Sequence, residues 1–413
     1  MMRAIADFRA LSDNERVTDL ERILALWRTL EASGADYVLA TVVQVEGPSY
    51  RKPGALMMLT ADGRHAGTVS GGCLEAEVAS RAWWLTADGP AIQRYSTADD
   101  DGERPYGSGC GGVIFLLLER RATAEPLLVA LERAFQQRVP LGVATILDGP
   151  EIGQRAFAGI DNAEGRSDSL YTVAEQALAS RTPFEHKVTV ENIAVRAWAH
   201  YRPARPGLAI FGAGDDALPL HRMARELGWH VLVADGRSHL ATRERFQLAD
   251  AVRVLPINDL PGSSMDESPT LLGDLRAEDA AVVMTHSFEQ DSKILAALLG
   301  LAAPPSYIGV LGPQRRTREL LAEAGTLLGL PGGATSAQVD QWLGRLYAPT
   351  GLDLGANSPE TIALSVVAEI QKLRASASGL PLCQVRAAQV EIAPQGNSGD
   401  NIALASEGIS TRI

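Results

Sequence analysis

The chain has little of what several protein classes need. Its 413 residues contain three cysteines, Cys73, Cys110 and Cys383. Three thiols cannot build a disulfide framework, and the count fits a reducing compartment. No Cys-x-x-Cys pair occurs, which disfavours a zinc ribbon. Aromatic residues make up only 5% of the chain, too few for a base-stacking platform. Basic residues are outnumbered: the net charge is −12 and the pI near 5.2. A fold-wide cationic surface for nucleic acid is therefore disfavoured. Long apolar runs are also missing; the stretch from Val113 to Leu118 is far too short to cross a bilayer. The first residues, MMRAIADFRALSDNERV, carry acids and no apolar core, unlike a signal peptide. The expectation is a soluble cytoplasmic protein with no nucleic-acid or membrane partner.

What is present is ordinary globular composition, 46% hydrophobic and 21% charged, with a length that suits two or three domains. No repeat of solenoid period is found. The chain divides near residue 205, where Pro203, Pro206 and Gly207 interrupt it. In the first half, Leu20, Ile23, Leu24, Trp27 and Leu30 mark one helix face, with capping-box spacing at Thr18 and Glu21 and a stop at Gly34. Tyr37–Val45 and Leu56–Leu59 read as strands, and Asp62-Gly63 as a hairpin turn into a strand ending at Val69. Later segments read as a helix over 123–137, a strand over 140–147, a helix over 170–180 and strands between 188 and 200.

Two cysteines sit in unusual surroundings. Ser70-Gly71-Gly72-Cys73 lies at a predicted strand-to-helix junction, and Cys110 lies within GSGCGG over 107–112. Paired glycines let backbone amides approach a ligand, and a helix N-terminus favours an anion and a thiolate. The plainer alternative is that both glycine clusters make tight turns around incidental cysteines. A disulfide between them is left open.

The second half begins LAIFGAGDDALPLHRMARELGWHVLVADGR. This is a strand, a glycine turn, a helix and a second strand. Gly212 suits the tight turn, Gly214 suits close approach of a diphosphate, and Ala217 suits helix packing. Asp235 follows Gly214 by 21 residues, the place of an acid that accepts from a ribose. Asp215 and Asp216 at the helix start suit the bare dipole and would repel a diphosphate. A Rossmann-like unit is thus predicted, with two uses of its turn open: nucleotide binding or bare scaffold. Strands near 250–255, 280–285 and 307–311 alternate with helices over 288–299, 314–328 and 359–374, which implies a parallel sheet. Ligands bind such sheets beyond the carboxyl ends of the strands. Arg237, His286, Arg315 and Arg316 gather there and are expected to attract an anion. From about residue 376 the chain reads as a small-residue, polar tail.

Taken together, ATVVQVEGPSYRKPGALMMLTADGRHAGTVSGGCLEAEV, the later GCGG, LAIFGAGDDALPL, VVMTHSFEQD, YIGVLGPQRRTREL and APTGLDLGANSPETIALSVVAEI resemble the XdhC/CoxI family in order and spacing. That family consists of maturation factors for xanthine dehydrogenase and related molybdenum hydroxylases. The resemblance implies an α/β protein: an N-terminal α+β XdhC/CoxI-type domain over 1–150, a connecting segment with strands over 151–205, a Rossmann-like parallel-sheet domain over 206–375, and a tail over 376–413. It implies an accessory factor that binds molybdenum cofactor, protects it during sulfuration by a cysteine desulfurase, and delivers it to an apo molybdenum hydroxylase. Cys73 and Cys110 match the family's glycine-flanked cysteines and are the expected metal-end contacts. Gly71, Gly72, Gly212, Gly214, Asp235, Arg237, His286 and Arg315 complete the expected cofactor-binding set. The family usually carries histidine where Asp215 stands. A homodimer is expected. The competing reading is an NAD(P)-dependent oxidoreductase built on the Rossmann unit and Asp235.

Overall fold

A computed structural model of the chain describes residues 18–72, 74–96, 112–160, 168–190, 192–255, 260, 272 and 275–385. Among them are three sheets. Helix α1 (Asp19–Ser33) starts where the sequence places it: Thr18 and Glu21 form a reciprocal capping box, and Gly34 ends the helix at φ 68°. Strands β1 (Tyr37–Glu46), β2 (Leu56–Thr60), β3 (His65–Gly67), β4 (Ala91–Ser96) and β5 (Val113–Arg120) form an antiparallel sheet in the order β3-β2-β1-β5-β4. β3 stops at Gly67 rather than Val69. Gly67 sits at φ 76°, and a β-carbon there would overlap Leu56 O, so the chain turns off the sheet at that point. Helix α2 (Glu75–Leu85) covers one sheet face with Val78 and Ala82, and α1 and α3 (Arg121–Gln137) cover the other.

The stretch 151–205, expected as a connecting segment with strands, supplies three of the four strands of a second sheet. Strands β6 (Leu141–Ile146), β7 (Arg155–Ala158), β8 (Phe184–Val190) and β9 (Ile193–Arg202) pair antiparallel in the order β7-β6-β9-β8, with α4 (Asp168–Ser180) packed on them. A boundary at 150 would cut the β6–β7 hairpin. The two sheets are joined by α3, by a shared cluster of Val43, Leu117, Leu147 and Trp198, and by a fully buried ion pair. In that pair Arg155 donates to both Glu119 oxygens, and its Nη1 also reaches Thr123 O at 3.1 Å and Gly153 O at 2.9 Å.

The third sheet is parallel, as its apolar runs demand. Strands β10 (Gly207–Phe211), β11 (His230–Asp235), β12 (Ala251–Val254), β13 (Ala280–Val283) and β14 (Tyr307–Val310) lie in the order β12-β11-β10-β13-β14. Helices α5 (Ala217–Glu226) and α9 (Pro359–Arg374) pack on one face, and α6 (Phe288–Gly300), α7 (Gln314–Leu327) and α8 (Ser336–Leu343) on the other. This is the Rossmann arrangement. Residues 347–350 run beside β14, with Tyr347 and Thr350 amides on Ile308 O and Val310 O. They carry the loop 351–358 to the carboxyl edge of the sheet. The tail shows a helical turn over 382–385, with Gln384 and Val385 amides on Pro381 O. The rest of the tail, from 386 onward, lies outside the described residues.

Candidate functional site

Antiparallel pairing decides where the first candidate site lies. The end of β1, the start of β2, the ends of β3 and β4 and the start of β5 share one edge of the first sheet. The described residues that leave these strand ends, 47–55, 68–72 and 112, therefore lie side by side. They touch. A β-carbon on Gly71 would stand 3.7 Å from the exposed Tyr50 ring; one on Gly112 would overlap Pro48 O and lie 3.1 Å from Glu46 O. Arg51 ties the first loop to the second, donating to Thr68 O at 3.0 Å, and pairs with Asp19 of α1. Thus the flanks of both glycine-rich cysteine segments pack on the loop Gly47-Pro48-Ser49-Tyr50. Cys73 and Cys110 themselves lie outside the described residues.

The amides next to Cys73 are already engaged. The Glu75 carboxylate accepts from Ser70 N at 2.8 Å, Val69 N at 3.2 Å and Ser70 Oγ at 2.5 Å. Ser70 Oγ in turn accepts from Gly72 N at 3.2 Å and Leu74 N at 3.0 Å. Burial pushes the Glu75 pKa up, and the Ser70 and Val69 hydrogen bonds outweigh it, leaving the carboxyl below its ordinary value. The expected anion at this helix N-terminus is thus in large part the protein's own. From sequence, Glu75 is legible only as an acid suited to the helix dipole. Its role as a loop clasp depends on the turn at Gly72, φ 104°.

The second candidate site is the carboxyl edge of the parallel sheet. Gly212, at φ 136°, passes so close to β13 that a β-carbon would overlap Met284 O. The glycine requirement is met as expected, but the turn is filled from within. Asp235 is fully buried and accepts four hydrogen bonds: Ala213 N at 2.7 Å, Arg237 N at 2.8 Å, Arg237 Nε at 2.9 Å and Arg237 Nη2 at 2.7 Å. Burial raises its pKa, and these donors more than reverse that, holding it below the usual carboxylate range. The carboxylate expected to take a ribose hydroxyl is saturated by protein donors. Asp216 leans over the turn: its Oδ1 would lie 2.7 Å from a β-carbon on Gly214, and its Oδ2 meets His286 Nε2 at 2.7 Å. His286 holds that position from a left-handed backbone, φ 63°.

The expected cationic pocket is likewise neutralised. Arg237 is bound to Asp235 and feels Asp216 and Asp291 as well. Arg316 pairs with the buried Asp291 at 2.7 Å, and Asp291 also accepts from Thr285 Oγ1 at 2.6 Å. Arg315 projects into solvent, its side chain 90% exposed, near Glu319. Asp215, in the family's histidine position, is exposed and paired with Arg245 at 2.8 Å. Among the described residues, no cluster of His, Cys, Asp or Glu is arranged to hold a metal ion.

Among the described residues, the two candidate sites lie at different ends of the parallel sheet. The first half docks against the opposite, amino end of the parallel sheet. Glu21 of α1 accepts from Arg225 Nη2 at 2.7 Å, Arg138 at the end of α3 pairs with Asp279 just before β13, and Arg276 donates to Gln137 O at 2.6 Å. The carboxyl-edge residues lie a strand length away, about 15 Å for a five-residue strand.

An antiparallel domain with converging glycine loops, joined to a Rossmann domain whose phosphate turn is occupied by its own carboxylates, defines a class of two-part α/β proteins. The chain belongs to the XdhC/CoxI family. Residues 208–370 match the XdhC Rossmann domain, and residues 30–96 match the XdhC and CoxI family. It is similar to a probable xanthine dehydrogenase subunit of Bacillus subtilis (strain 168), 31% identical over 82% of this chain and 93% of that one. It is also similar to the molybdenum cofactor insertion chaperone PaoD of Escherichia coli (strain K12), 27% identical over 83% of this chain and 85% of that one. A solved structure of a xanthine dehydrogenase from Bacillus halodurans matches with a TM-score of 0.63 and 29% identity, covering 87% of this chain and 96% of that one. No helix among the described residues is long and apolar enough to cross a membrane.

Proposed function

We propose that this chain is an insertion chaperone for molybdenum cofactor, serving a xanthine dehydrogenase-type molybdenum hydroxylase. The observation that carries this reading is the likeness to PaoD across both halves of the chain. The cargo is a pterin dithiolene with a phosphate and an oxo-molybdenum centre. A soft, sulfur-rich metal end suits thiolates. Cys73 and Cys110 are proposed to face it from segments whose flanks, Gly71 and Gly112, pack on the loop 47–50. In the finer reading, the protein shields the cofactor while a cysteine desulfurase supplies the terminal sulfido ligand, then hands it to the apo-hydroxylase. The protein would act in the cytoplasm as a homodimer.

The saturated Asp235 and the overhanging Asp216 favour a carrier over a nicotinamide enzyme, because a diphosphate entering the turn would meet the Asp216 carboxylate and Asp235 keeps no free acceptor for a ribose. The test is to purify the full chain from a molybdenum-replete host and measure bound molybdenum and pterin. Stoichiometric cofactor supports the proposal. Its loss in Cys73→Ala and Cys110→Ala supports the thiolate role, and full retention in both refutes that role. A cofactor-free protein that oxidises NADH with a small substrate would overturn the chaperone reading.

A further inference from the structure

Between the two halves of the molecule lies a cleft of about 370 Å³ that neither candidate site uses. Leu131, Ala134 and Phe135 of α3 form an apolar wall, and Pro53-Gly54 close another side. The polar groups come from the end of β9. His200 is buried, stacks on Trp198 with ring centroids 4.2 Å apart, and leaves its Nδ1 without a hydrogen-bond partner. Arg202 donates from Nη1 to Gly54 O at 2.9 Å.

The charges around the cleft do not cancel. Arg205 and Arg225 share Glu21 and Asp250. Arg202 has no such partner: burial alone acts on its guanidinium, pushing it down to about 10, and no carboxylate among the described residues offsets it. Half-buried on the cleft wall, it is still a cation at neutral pH with a carbonyl but no carboxylate partner, and so is open to an anion. Burial, then Arg202 and Arg155, hold His200 well below its ordinary pKa, so the imidazole is neutral and adds no charge of its own. A mostly apolar cleft with a few convergent polar groups is the usual form of a small-molecule site.

We propose that this cleft binds a small ring-bearing organic anion, its phosphate or carboxylate on Arg202 and His200 and its ring on the α3 wall. Such a ligand would touch both halves of the chain. Through Gly54 it would also steady the loop 47–55, which carries the contacts to Gly71 and Gly112 at the cysteine-flanking segments.

The probe is AMP, with adenosine as the same ring without the anion and inorganic phosphate as an anion without the ring. Calorimetric titration of the full chain should show AMP binding about tenfold or more tighter than either control. Arg202→Met should abolish the preference for AMP over adenosine. Ala204→Phe, a linker substitution that narrows the cleft and leaves Arg202 in place, should weaken AMP and adenosine together. Arg237→Met, in the Rossmann crevice, should leave AMP binding unchanged. Circular dichroism melts would establish that each variant is folded; should Arg202→Met fail to fold, Ala204→Phe carries the test. The proposal is overturned if AMP does not bind at millimolar concentration, if adenosine binds equally well, if folded Arg202→Met or Ala204→Phe binds AMP as the parent does, or if Arg237→Met is the variant that loses it.

Discussion

Replacing Glu75 by alanine should open the loop before Cys73 without unfolding the protein. The carboxylate accepts two backbone amides and one hydroxyl, Val69 N, Ser70 N and Ser70 Oγ. Hydrogen bonds to a charged acceptor contribute about 1.5–3 kcal/mol each. The total is discounted because water reaches the loop at the exposed Gly71 and Gly72, although Val69 and Ser70 are buried. A net local destabilisation of about 2–3 kcal/mol follows, which corresponds to roughly 30- to 150-fold faster opening-limited exchange. Amide hydrogen exchange at Val69 and Ser70 is the assay, read against core amides of β1 as an internal control. Glu75→Gln keeps an acceptor and loses the charge, so it should fall between the parent and Glu75→Ala. The pH dependence has a definite sign. The folded-state pKa of Glu75 lies below its ordinary value, so the clasp is complete above the unfolded pKa and is lost as pH falls through the folded one. Protection at these two amides should therefore fall in acid in the parent and be flat in Glu75→Ala. Exchange unchanged by Glu75→Ala would refute the clasp, and with it the claim that the protein supplies its own anion at this turn.

Two further outcomes follow from groups buried in ion pairs. Arg155→Met strands the Glu119 carboxylate between the two antiparallel sheets, where both side chains are essentially unexposed, and should cost about 3–5 kcal/mol in urea unfolding. Adding Glu119→Leu to it should restore most of that loss, and a double variant no more stable than the single one would count against the pairing argument. In the Rossmann turn, Asp216→Ser removes the carboxylate overhanging Gly214 and frees His286. Weak NADH binding by the parent, strengthened about tenfold by this change, is the expected titration result. Equal affinity in the two proteins would mean that Asp216 does not guard the turn.

Local signals make many elements readable. The capping box at Thr18 and Glu21, the stop at Gly34, the β-branched run of β1 and the glycine turn after β10 each act within a few residues, so sequence spacing alone carries them. The second sheet is hidden because β6 pairs with β9, more than fifty residues away, and no local pattern marks a strand as belonging to a partner that distant. The same limit applies to the sites. Gly71, Gly72, Gly212 and Gly214 stand out in the sequence for conformations and close approaches that a side chain would hinder, and the Gly212 turn bears this out. The charges are misleading. Arg237, Arg316 and His286 look like free cations in the sequence. Yet Asp235, only two residues from Arg237, turns back onto it, while Asp291 and Asp216 reach Arg316 and His286 through helix starts on neighbouring strands.

The sequence by itself determined the periodicities, the turns and the residue types: which segments are helix or strand, where glycine is obligatory, and the ordered blocks that place the chain in its family. Only the tertiary structure decided which charges cancel and which loops meet. The sign of a site depends on the sum of groups within a few ångströms, and chain distance does not report that sum. Three loops at one sheet edge, a phosphate turn closed by its own carboxylates and an arginine left unpaired at Arg202 all arise from strand pairing and domain docking, which bring together residues up to two hundred positions apart.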